Sequence, residues 1–484
     1  MLKNEAAEWD AMVQAGEAIG REVLEDYKEI GGFPDDGRIL LLAGKGHNGG
    51  DALLAARTIL ALKPQARATV VLAFGVRELR PLAGRALDRL KADAPGRVEL
   101  VSSDEALAAG AAYALCLDGI FGFQFRAQMD EATASILTRV NGHQGIRFRA
   151  AVDLPSGVGE KNATTIFRAD FTYATGIVKR PVLSLRVSTS VGRLRYLDLG
   201  FFAAGAPEAT EQILTTAVLS PLGQLRSSQT DKRTFGHVLI VGGSRSYPGA
   251  VMLATRAALR SGAGLVTAFV PASLAPEYAA AHPEAMWVGC PETPKGGLAG
   301  GTVELIRERL PRASALLVGP GMSAEPEVLT TIQAIVRNTN NLPLVLDADA
   351  LRGEVVEAVK DRPFIGTPHA GEFERIAPKL FTDGKFTAPH GVLVLKGPLT
   401  RVTDGKVIYH SPFGGPVLAR GGSGDLLAGL IGGLLAQQPA DPLLAALRGV
   451  VWHGRAADLL ARARGQVAVE ISEVLEQLGP GLHS

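Results

Sequence analysis

The sequence has few cysteines, no long apolar run and almost no net charge, and each absence excludes a class of protein. Two cysteines in 484 residues exclude a disulfide-framed secreted domain and a cysteine-rich zinc site. The longest apolar run, Leu426 to Ala436, is shorter than the roughly 18 residues that span a bilayer. The first residues lack the charged and apolar regions of a signal peptide. Because 50 Lys and Arg balance 49 Asp and Glu, no strong field attracts nucleic acid. We therefore expect a cytoplasmic protein with no nucleic-acid or membrane partner.

Two α/β patterns follow one another along the chain. In each, short apolar runs typical of strands alternate with stretches whose apolar residues recur at helical spacing. A polar, turn-rich segment from about 203 to 233 separates the two patterns. The sequence therefore predicts an α/β protein of two domains, 1–211 and 212–484. The first has the pattern of a Rossmann-like, doubly wound parallel sheet.

Glycine is in excess: 57 of 484 residues are glycine, about 12%, against a usual share of about 7%. The first glycine cluster follows a predicted strand. Residues 44–49, GKGHNG, match the G-x-G-x-x-G pattern of dinucleotide-binding loops. Asp51, however, places a carboxylate in the first helical turn, where a pyrophosphate would lie. No acidic residue occurs from Ala52 through Arg77, where a ribose-binding carboxylate is expected. The alternative is a glycine turn between a strand and a helix.

Polar side chains follow three of the predicted strands in this first half. Asp118 and Asp153 each end a strand, and Asn48 follows another. The carboxyl ends of parallel strands meet at one crevice, so these side chains are expected to lie close together. Their oxygen atoms form a hard ligand set that suits a hard cation, although each carboxylate alone could equally cap a turn.

The motifs at 44–57, 117–122 and 152–157 together resemble those of NAD(P)H-hydrate epimerases, over about residues 10–202. The resemblance implies that Asn48, Asp118 and Ser156 bind a potassium ion. It makes Asp51 and Asp153 candidate catalytic groups for proton transfer at C6 of the hydrated nicotinamide. It implies a substrate pocket formed by His47, Asn48, Gly49, Gly50, Asp51, Gly122, Phe123, Gln124, Phe125, Arg126 and Asp153.

Two departures from the epimerase pattern leave an alternative open for this half. His47 stands where the family has its first asparagine, and the loop at 122–128, GFQFRAQ, differs from the family's usual sequence. The alternative is that the first domain is a binding or scaffolding module with a degraded site.

The second glycine cluster, at 420–425, has the sequence RGGSGD and precedes an apolar helical run. A glycine-rich turn at a helix start presents several N–H groups to an anion. Asp425 would repel a resting phosphate, but it suits a base that takes a hydroxyl proton during phosphoryl transfer. The alternative is an ordinary helix start, with Gly429, Gly432 and Gly433 serving close packing. The P-loop pattern is absent.

This cluster resembles the catalytic signature of the ribokinase-like superfamily. The motifs GHVLIVGGS, LLVGPGMS, LVLDADAL, TPHAGEF and VLKGPLT narrow the resemblance to ADP- or ATP-dependent NAD(P)H-hydrate dehydratases, over nearly all of residues 230–480. It implies a ribokinase-like α/β/α sandwich with Asp425 as the catalytic base. It implies hydrate contacts from Ala250, Gly321, His369 and Asp425. It implies nucleotide contacts from Lys396, Gly397, Pro398, Leu399, Thr400, Gly421, Gly422, Ser423 and Gly424.

Together the two resemblances imply a fused isomerase and lyase that repairs NADHX and NADPHX, the hydrates of NADH and NADPH. ADP or ATP would donate the phosphoryl group, Mg²⁺ and K⁺ would be bound, and the chain would form a homo-oligomer. Asp347 and Asp349 either orient Mg²⁺ or water, or cap the segment that follows them. The alternative for the second half is a ribokinase-like small-molecule kinase that releases a stable phosphorylated product.

Overall fold

The computed structural model describes residues 5–122, 129–159, 165–200, 209–339 and 342–483, and the chain in it divides into two compact units. The first unit comprises Met1–Pro207 with Ala461–Gln466, and the second comprises Glu208–Leu460 with Val467–Ser484. The predicted division after residue 211 differs from this one, because Glu211–Ile213 forms a strand that pairs with Ile408–Ser411 of the second unit. Within the described residues, every helix is too short or too polar to cross a membrane.

The described part of the first unit is built on one parallel sheet. Its strands are β1 (Arg38–Ala43), β2 (Arg67–Leu72), β3 (Val98–Leu100), β4 (Tyr113–Gly119), β5 (Ile146–Val152), β6 (Phe171–Thr175) and β7 (Arg193–Leu197). Its α-helices are α1 (Glu5–Tyr27), α2 (His47–Leu62), α3 (Pro81–Asp93), α4 (Ser103–Ala106), α5 (Glu131–Gly142) and α6 (Ser188–Val191). The strand order is β3-β2-β1-β4-β5-β6-β7, with every neighbouring pair parallel. The order reverses between β1 and β4, which opens a crevice at their carboxyl ends.

Helices cover both faces of this sheet, as the continuous apolar strands require. Ile39 and Leu41 of β1 point to the face packed by α1 and α2. Leu40 and Leu42 point to the opposite face, which α5 covers. The predicted doubly wound architecture is therefore confirmed.

The described part of the second unit contains a ten-stranded sheet and a separate two-stranded hairpin. The strands are β8 (Glu211–Ile213), β9 (His237–Val241), β10 (Leu265–Pro271), β11 (Met286–Cys290), β12 (Ala315–Val318), β13 (Leu344–Leu346), β14 (Phe364–Gly366), β15 (Phe381–Thr382), β16 (Lys385–Phe386), β17 (Gly391–Leu395), β18 (Thr400–Thr403) and β19 (Ile408–Ser411). The helices are α7 (Pro248–Arg260), α8 (Ala275–Ala281), α9 (Thr302–Arg307), α10 (Pro326–Asn338), α11 (Gly353–Val359), α12 (Ala370–Leu380), α13 (Ser423–Gln437), α14 (Pro442–Arg464, whose last residues lie in the first unit) and α15 (Leu478–His483).

Most of the ten-stranded sheet is parallel, with an antiparallel edge. The order is β11-β10-β9-β12-β13-β14-β17-β18-β19-β8. The first seven strands are parallel. The pairs β17–β18 and β18–β19 are antiparallel, whereas β15 and β16 form a separate hairpin. The parallel part places the glycine-ended strands of the second half side by side.

Helices also cover both faces of the second sheet. Leu239 of β9 and Leu316 of β12 belong to the core that α10 packs. Val238 and Leu317 point the other way, where each lies 3.6 Å from the position that a Cβ atom on Gly432 of α13 would take. The predicted α/β/α sandwich is therefore confirmed.

The glycines of α13 allow close packing at two of three positions. A Cβ atom on Gly429 would lie 2.0 Å from the Ala254 carbonyl oxygen of α7, and one on Gly433 would lie 2.1 Å from Ser261 Oγ. We expect Gly429→Ala to lower the free energy of unfolding by about 1–3 kcal/mol through overpacking. The matched control is Gly432→Ala, which has room and should be neutral or stabilising by up to about 1 kcal/mol. Denaturant unfolding checks this, and equal shifts for both variants would contradict it.

Candidate active sites

The first glycine loop holds the start of α2 against the carboxyl ends of β1 and β4. A Cβ atom on Gly44 would lie 1.9 Å from the Ile120 carbonyl oxygen, and one on Gly49 would lie 2.1 Å from the Gly44 carbonyl oxygen. A Cβ atom on Gly119 would lie 2.5 Å from the Ala52 side chain. These positions admit only glycine, so the backbones meet closely and Asn48 is carried to the edge of the sheet.

The three predicted ion ligands lie together in one hydrogen-bonded cluster. Ser156 donates to Asp118 from its Oγ (2.7 Å) and from its backbone N–H (2.8 Å). The Ile120 N–H donates to the same carboxylate at 3.2 Å. The backbone of Phe121 links Asn48 to this cluster. Its N–H donates to Ser156 Oγ (3.0 Å), and its carbonyl accepts from Asn48 Nδ2 (2.7 Å). The fold therefore brings Asn48, Asp118 and Ser156 to one place.

Asp118 is a buried carboxylate in an uncharged setting. It is fully buried, and among the described residues no basic side chain forms an ion pair with it. Burial raises the pKa of Asp118 to about 6, although the hydrogen bonds from Ser156 and Ile120 oppose that shift. A buried carboxylate beside amide and hydroxyl oxygens fits a hard cation, which would offset its charge.

The two candidate proton-transfer groups of this unit lie within the influence of one lysine. Lys179, in the segment that follows β6, forms an ion pair with the Asp153 carboxylate, and both side chains are largely buried. Burial raises the pKa of the half-buried Asp51 well above its usual range, the negative Asp153 adds to the shift, and Lys179 opposes it. The two carboxyls thus differ: burial favours the acid form of Asp51, whereas Asp153 is paired with an ammonium.

Sequence reasoning did not assign a role to Lys179. The signal was present in the segment ADFTYATGIVKRP, whose strand β6 runs parallel to β5 and ends at the same sheet edge as Asp153. The pairing became visible only once the neighbouring strands were known.

The remaining predicted pocket residues of the first unit divide into two groups. His47 is exposed at the start of α2, with its Nε2 3.6 Å from Glu8. Gly50 lies against Met12, and a Cβ atom on Gly122 would lie 3.2 Å from that of Asn48. The predicted residues that lie outside the described ones are Phe123, Gln124, Phe125 and Arg126.

The second glycine cluster forms a turn with an open side at the start of α13. Gly422 has a φ of +89°, and a Cβ atom there would lie 2.5 Å from the Leu253 side chain. A Cβ atom on Gly421 would meet open space, and one on Gly424 would lie 3.1 Å from Lys396 Nζ. The predicted nucleotide contacts at 396–400 and at 421–424 therefore meet. The glycine turn presents N–H groups, and Lys396 places an ammonium beside them.

Lys396 is held by two acidic residues, one after β13 and one in the first turn of α12. Its Nζ donates to Asp347 at 2.9 Å and lies 3.8 Å from Glu372. Thr367 also donates to Asp347, at 2.6 Å. Burial disfavours the charge, but Asp347 and Glu372 raise the pKa of Lys396 above its ordinary value. Lys396 is therefore positively charged at the glycine turn.

The two aspartates of the LVLDADAL motif make different contacts. The side chain of Asp347 makes no capping bond; it is buried and binds Lys396 and Thr367. Asp349 accepts from the Ser323 N–H at 2.9 Å and lies 3.8 Å from Arg352. Capping was thus the wrong alternative for Asp347, which positions the lysine.

Asp425 lies in the first turn of α13, close enough to Asp347, Asp349 and Lys396 for their charges to act on it. Burial raises the pKa of Asp425 to about 6, the negative charges of Asp347 and Asp349 add to the shift, and Lys396 opposes it. A carboxyl with this pKa is ionised at neutral pH yet binds a proton readily, which suits a general base.

The predicted hydrate contacts of the second unit come from three places: Ala250 from the first turn of α7, Gly321 from the loop after β12, and His369 from the residue before α12. Gly321, with a φ of +64°, would place a Cβ atom 2.8 Å from that of Ala250, so these two residues are neighbours. His369 caps α12: its Nδ1 accepts from the N–H groups of Gly371 (3.1 Å) and Glu372 (3.3 Å). The Glu372 carboxylate accepts in return from the His369 N–H at 2.8 Å. His369 is thus a helix cap whose ring is 61% exposed.

The other predicted nucleotide contacts surround Lys396 in sequence. Gly397, Pro398 and Leu399 form the turn between β17 and β18, and Thr400 begins β18. Ser423, by contrast, is buried at the start of α13.

Comparison with known proteins covers both units. A family model described as NAD(P)H-hydrate dehydratase matches residues 238–479, and one described as YjeF-related protein N-terminus matches residues 11–181. The chain is 33% identical to a bifunctional NAD(P)H-hydrate repair enzyme of Moorella thermoacetica, covering 96% of this chain and 91% of the relative. It is 34% identical to one of Gloeobacter violaceus, covering 97% and 93%.

A solved structure is also similar to part of this chain. It is an ADP/ATP-dependent NAD(P)H-hydrate dehydratase from Bacillus subtilis, co-crystallised with ATP and Mg²⁺. The identity is 26%, the match covers 56% of this chain and 97% of that one, and the TM-score is 0.45.

Proposed function

Because this chain belongs to the family of bifunctional NAD(P)H-hydrate repair enzymes, we propose how its two sites divide the repair of hydrated NADH and NADPH. The first site interconverts the R and S hydrates. The second site uses ADP to return the S hydrate to NAD(P)H, with release of AMP and phosphate. One observation carries the assignment of the second site: Asp425, a carboxyl of raised pKa, lies beside a glycine turn and a charged lysine.

In the second site, the glycine turn and Lys396 hold the negative charge of the phosphoryl group during its transfer. The C6 hydroxyl oxygen bonds to phosphorus, its proton passes to Asp425, and the bond from phosphorus to the nucleotide oxygen breaks. Phosphate then leaves C6 as C5 loses a proton, which restores the ring double bond. Phosphate is a better leaving group than hydroxide, and this is the chemical reason for the nucleotide.

We propose Mg²⁺ as a companion of the nucleotide phosphates, whose charge it neutralises when bound. Mg²⁺ usually takes one or two carboxylates together with substrate phosphates. Carboxylates are present beside the glycine turn, since the charges of Asp347 and Asp349 act on Asp425 there. We propose ADP rather than ATP as the donor, because the chain resembles members of the family in which the two domains are fused. Self-association stays a prediction.

In the first site, the proton of the C6 hydroxyl passes to Asp153, and Asp51 gives a proton to the ring nitrogen as the C6–N bond breaks. Closure on the opposite face reverses both transfers and inverts C6. Lys179 pairs with the Asp153 carboxylate and positions it. Asn48, Asp118 and Ser156 would hold K⁺, whose positive charge would offset the buried Asp118 carboxylate.

A mixture of R and S hydrates incubated with the protein and ADP tests this division. Full conversion to NAD(P)H is expected if both sites work. A plateau near the S fraction, above slow spontaneous epimerisation, would show that only the second site works. A stable phosphorylated product without recovery of NAD(P)H would instead indicate a small-molecule kinase. Replacing ADP by ATP in a parallel incubation decides the donor.

The dehydratase rate should depend on the ionisation of Asp425. Because burial and neighbouring carboxylates raise its pKa to about 6, kcat/KM should rise with pH through that value and level off above it. Below pH 5 the rate should fall about tenfold per pH unit, since only the carboxylate accepts the proton. In Asp347→Asn, loss of a negative neighbour should move the inflection to lower pH. A flat profile from pH 5 to 7 would contradict the assignment.

A further inference from the structure

An exposed tyrosine lies at the start of α7 in the second unit. Tyr247 is 58% exposed and occupies the N-cap position of that helix. Ser, Thr, Asp and Asn are favoured there, because their side chains accept from the first free N–H groups of a helix. Tyr247 makes no such bond, and among the described residues its hydroxyl has no hydrogen-bond partner and its ring no aromatic partner. Neither helix capping nor core packing therefore explains a large aromatic side chain at this position.

The loop that carries Tyr247 is anchored on both sides of it. Before the tyrosine, the Arg245 N–H donates to the Gly296 carbonyl at 3.1 Å. After it, the Pro248 carbonyl accepts from the hydroxyl of the buried Tyr278 at 2.7 Å. The backbone at Tyr247 is thus held in place while its side chain stays open to solvent.

Helix α7 connects Tyr247 with the glycine turn at 421–424. A Cβ atom on Gly422 would lie 2.5 Å from the Leu253 side chain, so α7 lies against the turn at this residue. Tyr247 precedes Leu253 by six residues, which is about 9 Å along a helix axis. The tyrosine therefore lies at the edge of the site that contains Asp425.

The loop after β12 makes a second connection to the same site. A Cβ atom on Gly319 would lie 1.8 Å from the Asp347 carbonyl oxygen, and the Asp347 side chain binds Lys396. Two residues further on, a Cβ atom on Gly321 would lie 3.1 Å from the Cβ atom of Tyr247. Because two residues span at most about 7 Å, this loop brings Tyr247 close to the aspartate that holds the lysine.

The hydrated nicotinamide has one flat side, and it lies across the ring from the reacting hydroxyl. C5 and C6 are saturated in the hydrate, whereas N1, C2, C3 and the carboxamide on C3 stay conjugated and planar. The C6 hydroxyl must reach Asp425 for its proton to be taken, so the carboxamide side projects away from that carboxylate. Aromatic side chains prefer offset stacking on planar conjugated groups.

We propose that Tyr247 stacks on the conjugated carboxamide side of the hydrated nicotinamide while the C6 hydroxyl faces Asp425. This inference rests on the proposed dehydratase function of the second unit. The conjugated side is planar before and during phosphoryl transfer, so the contact is equally strong in the ground state and the transition state. Tyr247 is therefore a substrate-binding residue that lowers KM and leaves kcat unaffected.

Tyr247→Ser tests the proposal in the full chain, because serine is a favoured N-cap residue and should preserve α7. With S hydrate and saturating ADP, KM for the hydrate should rise about tenfold, as loss of a stacked ring predicts. Both kcat and the affinity for ADP should stay unchanged. Tyr247→Phe is the matched variant, since it keeps the ring and should retain the wild-type KM. Leu225→Ala truncates a fully exposed side chain elsewhere in this unit and should change none of these quantities.

The hydrate of reduced nicotinamide mononucleotide, which lacks the adenosine half, locates the contact. Titration without nucleotide should show about tenfold weaker binding of this shortened hydrate by Tyr247→Ser than by Tyr247→Phe, for the same loss of a stacked ring. Equal binding by the two variants would overturn the proposal, because Tyr247 would then contact another part of the substrate or none. An unchanged KM in Tyr247→Ser, or an equal rise in Tyr247→Phe, would also overturn it.

Failure of the proposed function gives a different result. Absence of ADP-dependent recovery of NAD(P)H by the wild type would reject that function. The titration with the shortened hydrate needs no turnover, so it still decides the inference: a difference between the two variants supports the stacking contact, and equal binding overturns it.

Discussion

Asp425→Asn is expected to abolish ADP-dependent recovery of NAD(P)H while nucleotide binding survives. The amide keeps the shape of the side chain but cannot take the proton of the C6 hydroxyl. Loss of a positioned general base costs about 10²–10⁴-fold in rate. The substitution also removes a negative charge beside the glycine turn, where Asp347 and Asp349 already add theirs. We therefore expect the affinity for ADP to be equal or higher.

Two measurements on the same protein separate these effects. The rate is followed by the absorbance of the reduced nicotinamide with S hydrate and ADP, and ADP affinity is measured by titration without hydrate. The matched control is Asp441→Asn: Asp441 accepts from the Leu444 N–H at 2.9 Å at the start of α14, and asparagine caps a helix as well as aspartate does. Unchanged turnover in Asp425→Asn would reject the base assignment, whereas loss of ADP binding would show that the residue acts in binding.

The sequence allowed the strand ends that carry the sites to be predicted well. Arg38–Ala43 and Tyr113–Gly119, for example, are strands because each is a largely buried apolar stretch that a glycine ends or follows. Asp118 and Asp153 lie where their strands end, as expected. Local pattern is enough here, since a parallel strand buried on both faces is apolar throughout.

Pairings across the sheets could not be predicted, because they depend on strand order. Asp347 follows β13 and Lys396 follows β17, and β14 separates these strands in the sheet. Nothing in the separate segments indicates that their side chains meet, so Asp347 was left between metal binding and capping. Lys179 was missed for the same reason.

Elements without an apolar repeat of their own were also missed or misjudged. The antiparallel strands β18 and β19 are short and partly polar, and the parallel pattern gave no sign of them. The segment Ile471–Gln477 is a 3₁₀ helix, followed by α15. Tertiary packing, not helical propensity, determines such short segments.

Asp153→Asn is expected to remove epimerisation and leave dehydration intact. Asp153 has a φ of +68°, a left-handed conformation that asparagine tolerates better than most residues, so the backbone should hold. The amide cannot accept the C6 hydroxyl proton, and Lys179 loses its ion-pair partner. We expect the rate of R-to-S conversion to fall about 10²–10⁴-fold, or to the spontaneous rate if that is reached first.

Chromatography of purified R hydrate without nucleotide measures this loss directly. With ADP and a mixed hydrate, Asp153→Asn should convert the S fraction at the wild-type rate and then stop, which places the defect in the first site alone. The matched control is Asp130→Asn, where the carboxylate caps α5 by accepting from the Thr133 N–H at 2.7 Å. Asparagine can replace that cap, so the control should epimerise normally. Wild-type epimerisation by Asp153→Asn would mean that the carboxylate beside Lys179 only holds the loop, and that another group takes the proton.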